Sequence, residues 1–343
     1  GNPWEAYQLE DFPEPTHEDM ADMCLDIVGL RKRAEDEEPC QDYVLMRVLT
    51  AGLAWPDVTM ATGEYPVPIA RPYISGQEAV GIVEEASPSQ AHLLGKRVVG
   101  FTPQPFGSFA GRCVATAPTL YECPDVFSDE EGAAFLIASH TAYHAVHRRG
   151  GVKAGETVII LGAAGGVPSS AVQLCAAAGA NVIAVAGGEE KAAFCRELGA
   201  QTVIDHQAED FVAGVLREVG PNAIHAIIDF VQGEAGARAR PLLAVEGRHV
   251  MAGHAGGLIP VHPNEFYIQN WTLVGCCMGY GYGEQLPAIE QEAQDHIVAL
   301  AEAGKYRPPV SRVVGFEDIP EAFRGLVDRS AMGRWVARIS END

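Results

Sequence analysis

The sequence is poor in positive charge. Only 24 of its 343 residues are Lys or Arg, against 46 Asp or Glu, and the formal net charge is −22. No nucleic-acid partner is expected, because binding a phosphate backbone takes clustered cations. Lysine is scarcest: Lys32, Lys96, Lys153, Lys191 and Lys305 are the whole set, so a lysine in a candidate binding site carries weight. No apolar run approaches the ~20 residues of a helical membrane span. The stretch Gly1–Glu5 shows neither the basic start nor the apolar segment of a secretory signal, and a cytoplasmic location is expected. The eight cysteines (24, 40, 113, 123, 175, 195, 276 and 277) form no C-x-x-C pair and no tight Cys/His cluster. That spacing suits neither a disulfide framework nor a zinc knuckle, and buried free thiols are expected.

What is present fits two globular domains. From residue 40 to 125 short apolar segments, among them Tyr43–Leu49, Ala79–Val83 and Arg97–Phe101, are broken by Gly and Pro, as in a β-barrel. From about residue 152 strand and helix patterns alternate. Strands are expected at Thr157–Leu161, Asn181–Ala186, Thr202–Ile204, Ala223–Phe230, Arg248–Ala252 and Thr272–Val274, and helices at Ser169–Ala178 and Glu189–Leu198. Such alternation implies a parallel sheet covered on both faces. Pro308–Ile339 returns to a mixed pattern and is expected to rejoin the first domain. Glu10–Pro39 carries eleven acidic residues, with one strand expected at Cys24–Val28 and an exposed loop at Arg31–Pro39.

The strongest local signal is Gly162-Ala163-Ala164-Gly165-Gly166-Val167-Pro168, between a predicted strand and a predicted helix. Glycines there let the backbone turn tightly and approach a pyrophosphate, whose charge rests on the helix N-terminus. This loop, together with Gly52–Pro66, Gly76–Glu85, Gly107–Gly111, Leu242–Gly253 and Asp318–Ile339, resembles the quinone oxidoreductases of the medium-chain dehydrogenase/reductase superfamily, in the family's own order. The resemblance implies an α/β fold: a GroES-like β-barrel substrate domain (1–138 and 306–343) interrupted by a Rossmann doubly wound parallel-sheet domain (139–305), with the active site between them.

The family's zinc enzymes use a Cys and the His of a G-H-E motif. Here the matching stretch is Gly76-Gln77-Glu78, no Cys precedes Asp57 at the expected place, and the four-Cys loop is missing. No metal is expected, since zinc needs thiolate and imidazole ligands. Ala54 stands where the family often has an Asn near the nicotinamide, and Pro168 replaces the third glycine, suiting the first position of a helix.

Without a metal, the developing oxyanion must be stabilised by hydrogen bonding. Tyr65, matching the tyrosine of the family's G-x-Y-P, is the candidate donor; packing against substrate or cofactor is the alternative. Trp55, Phe106 and Tyr280 are candidates for an aromatic substrate pocket, and each suits core or loop packing equally. Thr141 matches a position beside the nicotinamide, and His140 next to it is a candidate for proton transfer or a structural histidine. Gly253, His254, Cys277 and Met278 fall where the family's backbone lines the nicotinamide, and Arg334 is counted with the cofactor residues.

The expected cofactor is NADPH. In NAD enzymes of this fold a carboxylate about 20 residues after the glycines binds the ribose 2′-hydroxyl, whereas here the strand ends Ala186-Gly187-Gly188. Lys191 falls where the family's NADPH-binding lysine lies. Gly187 stands for the usual small hydroxyl residue and His206 for the usual tyrosine. The resemblance therefore implies an NADPH-dependent, zinc-free reductase of quinones, enones or similar activated alkenes and carbonyls, with a small-molecule substrate. Enoyl-thioester reduction and a low-turnover NADPH-binding protein are the alternatives. Asn270–Cys276 is expected as a sheet-edge strand that pairs with its twin in a homodimer.

Overall fold

A computed structural model describes residues 43–63, 73–103, 106–279 and 281–340. The chain begins β1 (Tyr43–Leu53), α1 (Trp55–Thr62), β2 (Glu78–Ala86), β3 (Arg97–Phe101), β4 (Arg112–Thr116) and β5 (Leu120–Glu122). Two helices follow, α2 (Asp129–Ala133) and α3 (Leu136–Tyr143). The alternating part is β6 (Thr157–Leu161), α4 (Gly166–Ala177), β7 (Asn181–Ala186), α5 (Glu189–Glu197), β8 (Thr202–Asp205), α6 (Phe211–Val219), β9 (Ile224–Asp229), α7 (Gly233–Ala239), β10 (Leu243–Met251), α8 (Asn264–Tyr267), β11 (Thr272–Gly275) and α9 (Leu286–Glu302). The chain closes with β12 (Val310–Gly315), α10 (Ile319–Val327) and β13 (Arg334–Arg338).

These strands make two sheets. The first has the order β12-β13-β1-β2-β3-β5, with β4 also on β1, and is antiparallel except where β12 meets β13. The second is wholly parallel, in the order β11-β10-β9-β6-β7-β8. Counted from β6, that order is the doubly wound one of dinucleotide-binding sheets, and its switch point lies between β6 and β9.

The parallel sheet forms because its strands are apolar on both faces. In β6, Val158 and Ile160 join one buried cluster with Val182, Ala184 and Ile228. Ile159 and Leu161 join the opposite one with Ile183, Val185 and Ile227. The expected helix at Ser169 starts earlier, at Gly166, so Pro168 occupies the third rather than the first helical position. Its missing N–H is harmless there, because first-turn amides have no acceptor within the helix. The expected strand Arg248–Ala252 begins five residues earlier, at Leu243. The segments expected at Cys24–Val28 and Arg31–Pro39 lie outside the described residues.

Pro308–Ile339 does return to the first sheet, through β12 and β13. Beside β13, Asp57 ties α1 to the turn before β2. Its Oδ2 accepts from the Ala54 amide at 3.0 Å, and its Oδ1 accepts from the Gly76 amide at 3.0 Å and the Ser75 hydroxyl at 3.3 Å. Complete burial nevertheless outweighs these donors and the charge of Arg334, raising the carboxyl from 3.8 to about 6. Between those values the folded chain holds a proton that the unfolded chain has released, so this group makes stability fall as pH rises from about 4 to 6. The stability advantage of wild type over Asp57→Asn is therefore expected to be smaller at pH 7 than at pH 4.5 in urea titrations. A gap that stays constant or widens with pH contradicts it.

Candidate active site

The glycine loop follows β6 at the switch point. Gly162 turns with φ +69°, and a Cβ there would lie 2.9 Å from Val231. Ala163 is anchored by its amide to the Val185 carbonyl, 3.0 Å, and Ala164 accepts from the Gly333 amide at 2.8 Å. Gly165 caps α4, its own amide bonded to the Gly162 carbonyl at 2.9 Å. With Pro168 carrying no N–H, the open first-turn donors of α4 are the amides of Gly166 and Val167. A helix N-terminus with free amides is built to receive an anion.

Arg334 lies against this loop. Its Cδ would be 3.1 Å from a Cβ on Gly166, and the side chain is buried in an ion pair with Glu78. The other Glu78 oxygen accepts from the Ile137 amide at 2.8 Å, at the start of α3. Burial pulls the guanidinium down to about 10 against the charge of Asp57, which still leaves it charged at neutral pH. Its Nε is buried without a hydrogen-bond partner. An orphaned buried donor beside two open helix amides fits the diphosphate of a dinucleotide.

At the far end of β7, a Cβ on Gly187 would fall 2.8 Å from His206 Nε2 and 2.8 Å from Gln207 Nε2, so the bare backbone lets β8's exit come close. Asp205 sits there too, but its Oδ1 accepts from the Gly188 and Gln207 amides, each 2.9 Å. Those bonds hold its pKa below the usual carboxylate range. The Lys191 ammonium donates to the Arg329 backbone carbonyl at 2.5 Å, while the Arg329 guanidinium reaches the Ala255 carbonyl at 3.4 Å. Sequence reasoning missed Arg329, which stands 138 positions away in the chain with no local motif to mark it.

The opposite end gathers Thr141, whose hydroxyl lies 3.6 Å from the Met278 sulfur. Next to Met278, Cys277 is exposed. The Gly253 carbonyl accepts from the Gln232 amide side chain, and a Cβ on Gly253 would sit 2.7 Å from the Phe230 carbonyl oxygen. His254 is exposed, its carbonyl taking the Gly257 amide at 2.9 Å.

His140 does not serve as a proton donor to a substrate. It is fully buried, with Nδ1 2.7 Å from Glu290 Oε2 and Nε2 3.0 Å from Gln294 Oε1, so neither nitrogen is free. Burial alone would raise Glu290, yet His140 and His144 against its oxygens hold it down at about 2. Of the pocket aromatics, Trp55 is 39% exposed at the start of α1. Phe106 is half-buried and packs against a small cluster with Leu45, Val114 and Tyr43. Tyr65 and Tyr280 lie outside the described residues. Cys113, Cys123, Cys175 and Cys195 are buried free thiols, and desolvation pushes all four up, Cys123 and Cys195 to about 12.

The zinc positions of the dehydrogenases do not hold metal ligands. Gln77 is buried and donates to the Met60 sulfur at 3.4 Å, and the nearby Asp57 carboxylate is committed to backbone amides. Among the described residues no three His, Cys, Asp or Glu are grouped to hold a metal ion. The residues present do not fit zinc.

Residues 41–219 match the model for the alcohol dehydrogenase GroES-like domain, and residues 166–295 that for zinc-binding dehydrogenases. A quinone oxidoreductase-like protein 2 of Bos taurus is 28% identical over 300 residues, 86% of this chain and 85% of its own. A segment of a phenolphthiocerol/phthiocerol polyketide synthase of Mycobacterium tuberculosis is 34% identical over 217 residues, 63% of this chain and 10% of that protein. Among solved structures, the quinone oxidoreductase of Thermus thermophilus, determined also in complex with NADPH, superposes with a TM-score of 0.74 at 31% identity, covering 86% of this chain and 91% of that one. With more than half its length matched by one family model and its fold shared with the Thermus thermophilus enzyme, the chain is an oxidoreductase belonging to the quinone oxidoreductase-like branch of the medium-chain dehydrogenase/reductase family.

Proposed function

We propose that this chain is an NADPH-dependent reductase that delivers hydride to quinones, enones or other activated alkenes and carbonyls without a metal ion. The observation that carries the reading is a set of donors: the Gly166 and Val167 amides with the orphaned Arg334 Nε at one point, and the Lys191 ammonium beyond the end of β7 at the other. The first set suits a diphosphate. The second suits a 2′-phosphate, because β7 ends without a carboxylate and Asp205 is turned onto backbone amides. NADPH supplies the hydride; the protein supplies orientation and electrostatics. Thr141, Cys277, Met278 and the backbone at Gly253 would form the wall on which the nicotinamide rests, and Tyr65 remains the candidate donor to the developing oxyanion.

Enoyl-thioester reduction is the second reading, favoured by the likeness to the polyketide synthase segment. We place the domain division at 138/139 and 305/306. We also propose a homodimer through β11, the edge strand of the parallel sheet, near which Leu258, Tyr267 and Ile268 are each more than 60% exposed; a monomeric mass in light scattering at micromolar concentration contradicts this. No helix among the described residues is long and apolar enough to cross a membrane.

Cofactor oxidation against quinones, enones and enoyl thioesters, in the presence of a chelator, tests the function. Turnover with quinones or enones and full activity in chelator are expected, whereas turnover confined to thioesters selects the second reading. No turnover with any acceptor, or about one zinc per chain by elemental analysis, overturns the proposal. For the cofactor, kcat/KM with NADPH is expected to exceed that with NADH by about tenfold or more, and Lys191→Ala should lose most of that margin (~1.4 kcal/mol per factor of ten). Equal efficiency with NADH in wild type removes the assignment.

A further inference from the structure

Neither end of the cleft uses Glu290, although it is a fully buried carboxylate. It belongs to α9, which packs along α3. Residues four apart stack on one face of a helix, so His140 and His144 present two imidazoles to α9, while Glu290 and Gln294 present two polar groups to α3. Glu290 Oε2 meets His140 Nδ1 at 2.7 Å. Its Oε1 lies 3.2 Å from His144 Nε2, and Gln294 Oε1 completes the set on His140 Nε2 at 3.0 Å. One carboxylate thus spans a full turn of its neighbour.

Elsewhere α3 is held by the buried Leu136 and Tyr143 and by the Ser139 hydroxyl on that of Tyr306. Ala138 and Ala142 are small and buried on another face of the helix, so the polar groups supply the specific contacts toward α9. Immediately after α3, His144–Arg149 winds as a π-helix, so the end of α3 is not continued by a regular α-helical ladder. His144 Nε2 and Glu290 Oε1 are close but not hydrogen-bonded, so rotation away from the observed register would cost the two His140 bonds, leaving its imidazole and the Glu290 carboxylate unpaired in the interior. Thr141 follows His140 directly, so its direction from the helix axis is fixed once His140 is held.

We propose that Glu290 is a positioning residue, acting through His140 and His144 to set Thr141 against Met278 at the wall of the hydride-transfer site. The assignment of that wall rests on the reductase reading above. The register of Thr141 itself does not, and it can be read without activity.

The test uses the full chain, free of cofactor and labelled with 13C-methyl methionine, with Met278→Leu identifying the Met278 resonance. Glu290→Ala and Gln294→Ala should move that resonance, as Thr141→Val does. Glu290→Gln, which keeps an oxygen to accept from His140 Nδ1, should return it toward the wild-type position. Glu292→Gln, on the same helix but bonded to Tyr143 and Arg148, should leave it in place. In single-turnover kinetics, Glu290→Ala should slow hydride transfer by about tenfold or more, the scale of a small misplacement of reacting groups, with NADPH affinity unchanged. A Met278 resonance at its wild-type position in folded Glu290→Ala and Gln294→Ala proteins overturns the proposal, as does a moved resonance with an unchanged hydride-transfer rate. Failure of wild type to oxidise NADPH would remove the reductase reading, and the Met278 resonance would still decide the role of Glu290.

Discussion

The buried ion pair between Glu78 and Arg334 is the contact on which the site depends. It joins β2 to β13, and the free oxygen of Glu78 carries the bond onward to the amide that begins α3. Charges this deep are kept only when paired and hydrogen-bonded, and removing one partner of such a pair typically costs about 3–5 kcal/mol. Two glycines make room for it. A Cβ on Gly52 would fall 2.6 Å from Arg334 Nη2 and 2.8 Å from Glu78 Oε1, and one on Gly166 would press the Arg334 methylenes at 3.1 Å. The glycine loop is therefore fitted to the substrate domain as well as to a ligand.

This arrangement offsets an unusual residue in the loop. Pro168 removes one of the donors that the first turn of α4 would otherwise present, leaving two open amides. The orphaned Arg334 Nε lies where it can stand in for the lost donor, and it carries charge as well. It arrives from β13, so completion of the proposed phosphate site requires that the carboxyl-terminal strand be in place in the first sheet. The Gly333 amide bond to Ala164 secures the same junction through backbone.

Much of this was legible in the sequence. The alternating apolar strands of the parallel sheet, the loop before α4 and the return of the chain to the first sheet all follow from local pattern, because both-face burial and glycine spacing act within a few residues. Strand and helix ends were read less well: β10 starts five residues early, and α4 takes Pro168 inside its first turn. Long-range pairing was not legible. Arg329 reaches Lys191 from 138 residues away, and Glu290 reaches His140 across 150, with nothing local to mark either contact. His140 shows what neighbours decide: the sequence leaves it open between proton transfer and a structural role, and both its nitrogens are engaged on α9. Phe106, for which pocket lining and packing were equally open, packs partly buried against Leu45 and Val114.

The claim at the centre of this account is that Arg334 serves the fold and the cofactor at once, pairing with Glu78 while offering Nε to the diphosphate. Arg334→Lys separates the two duties, since an ammonium can still neutralise Glu78 but has no second donor beside Gly166. The decisive measurement is calorimetric titration of NADPH into wild type and Arg334→Lys, with thermal unfolding of both as the check on folding. The account predicts a folded variant that binds NADPH about tenfold or more weakly, ~1.4 kcal/mol for one charge-assisted contact. A folded Arg334→Lys protein with wild-type affinity for NADPH would contradict it.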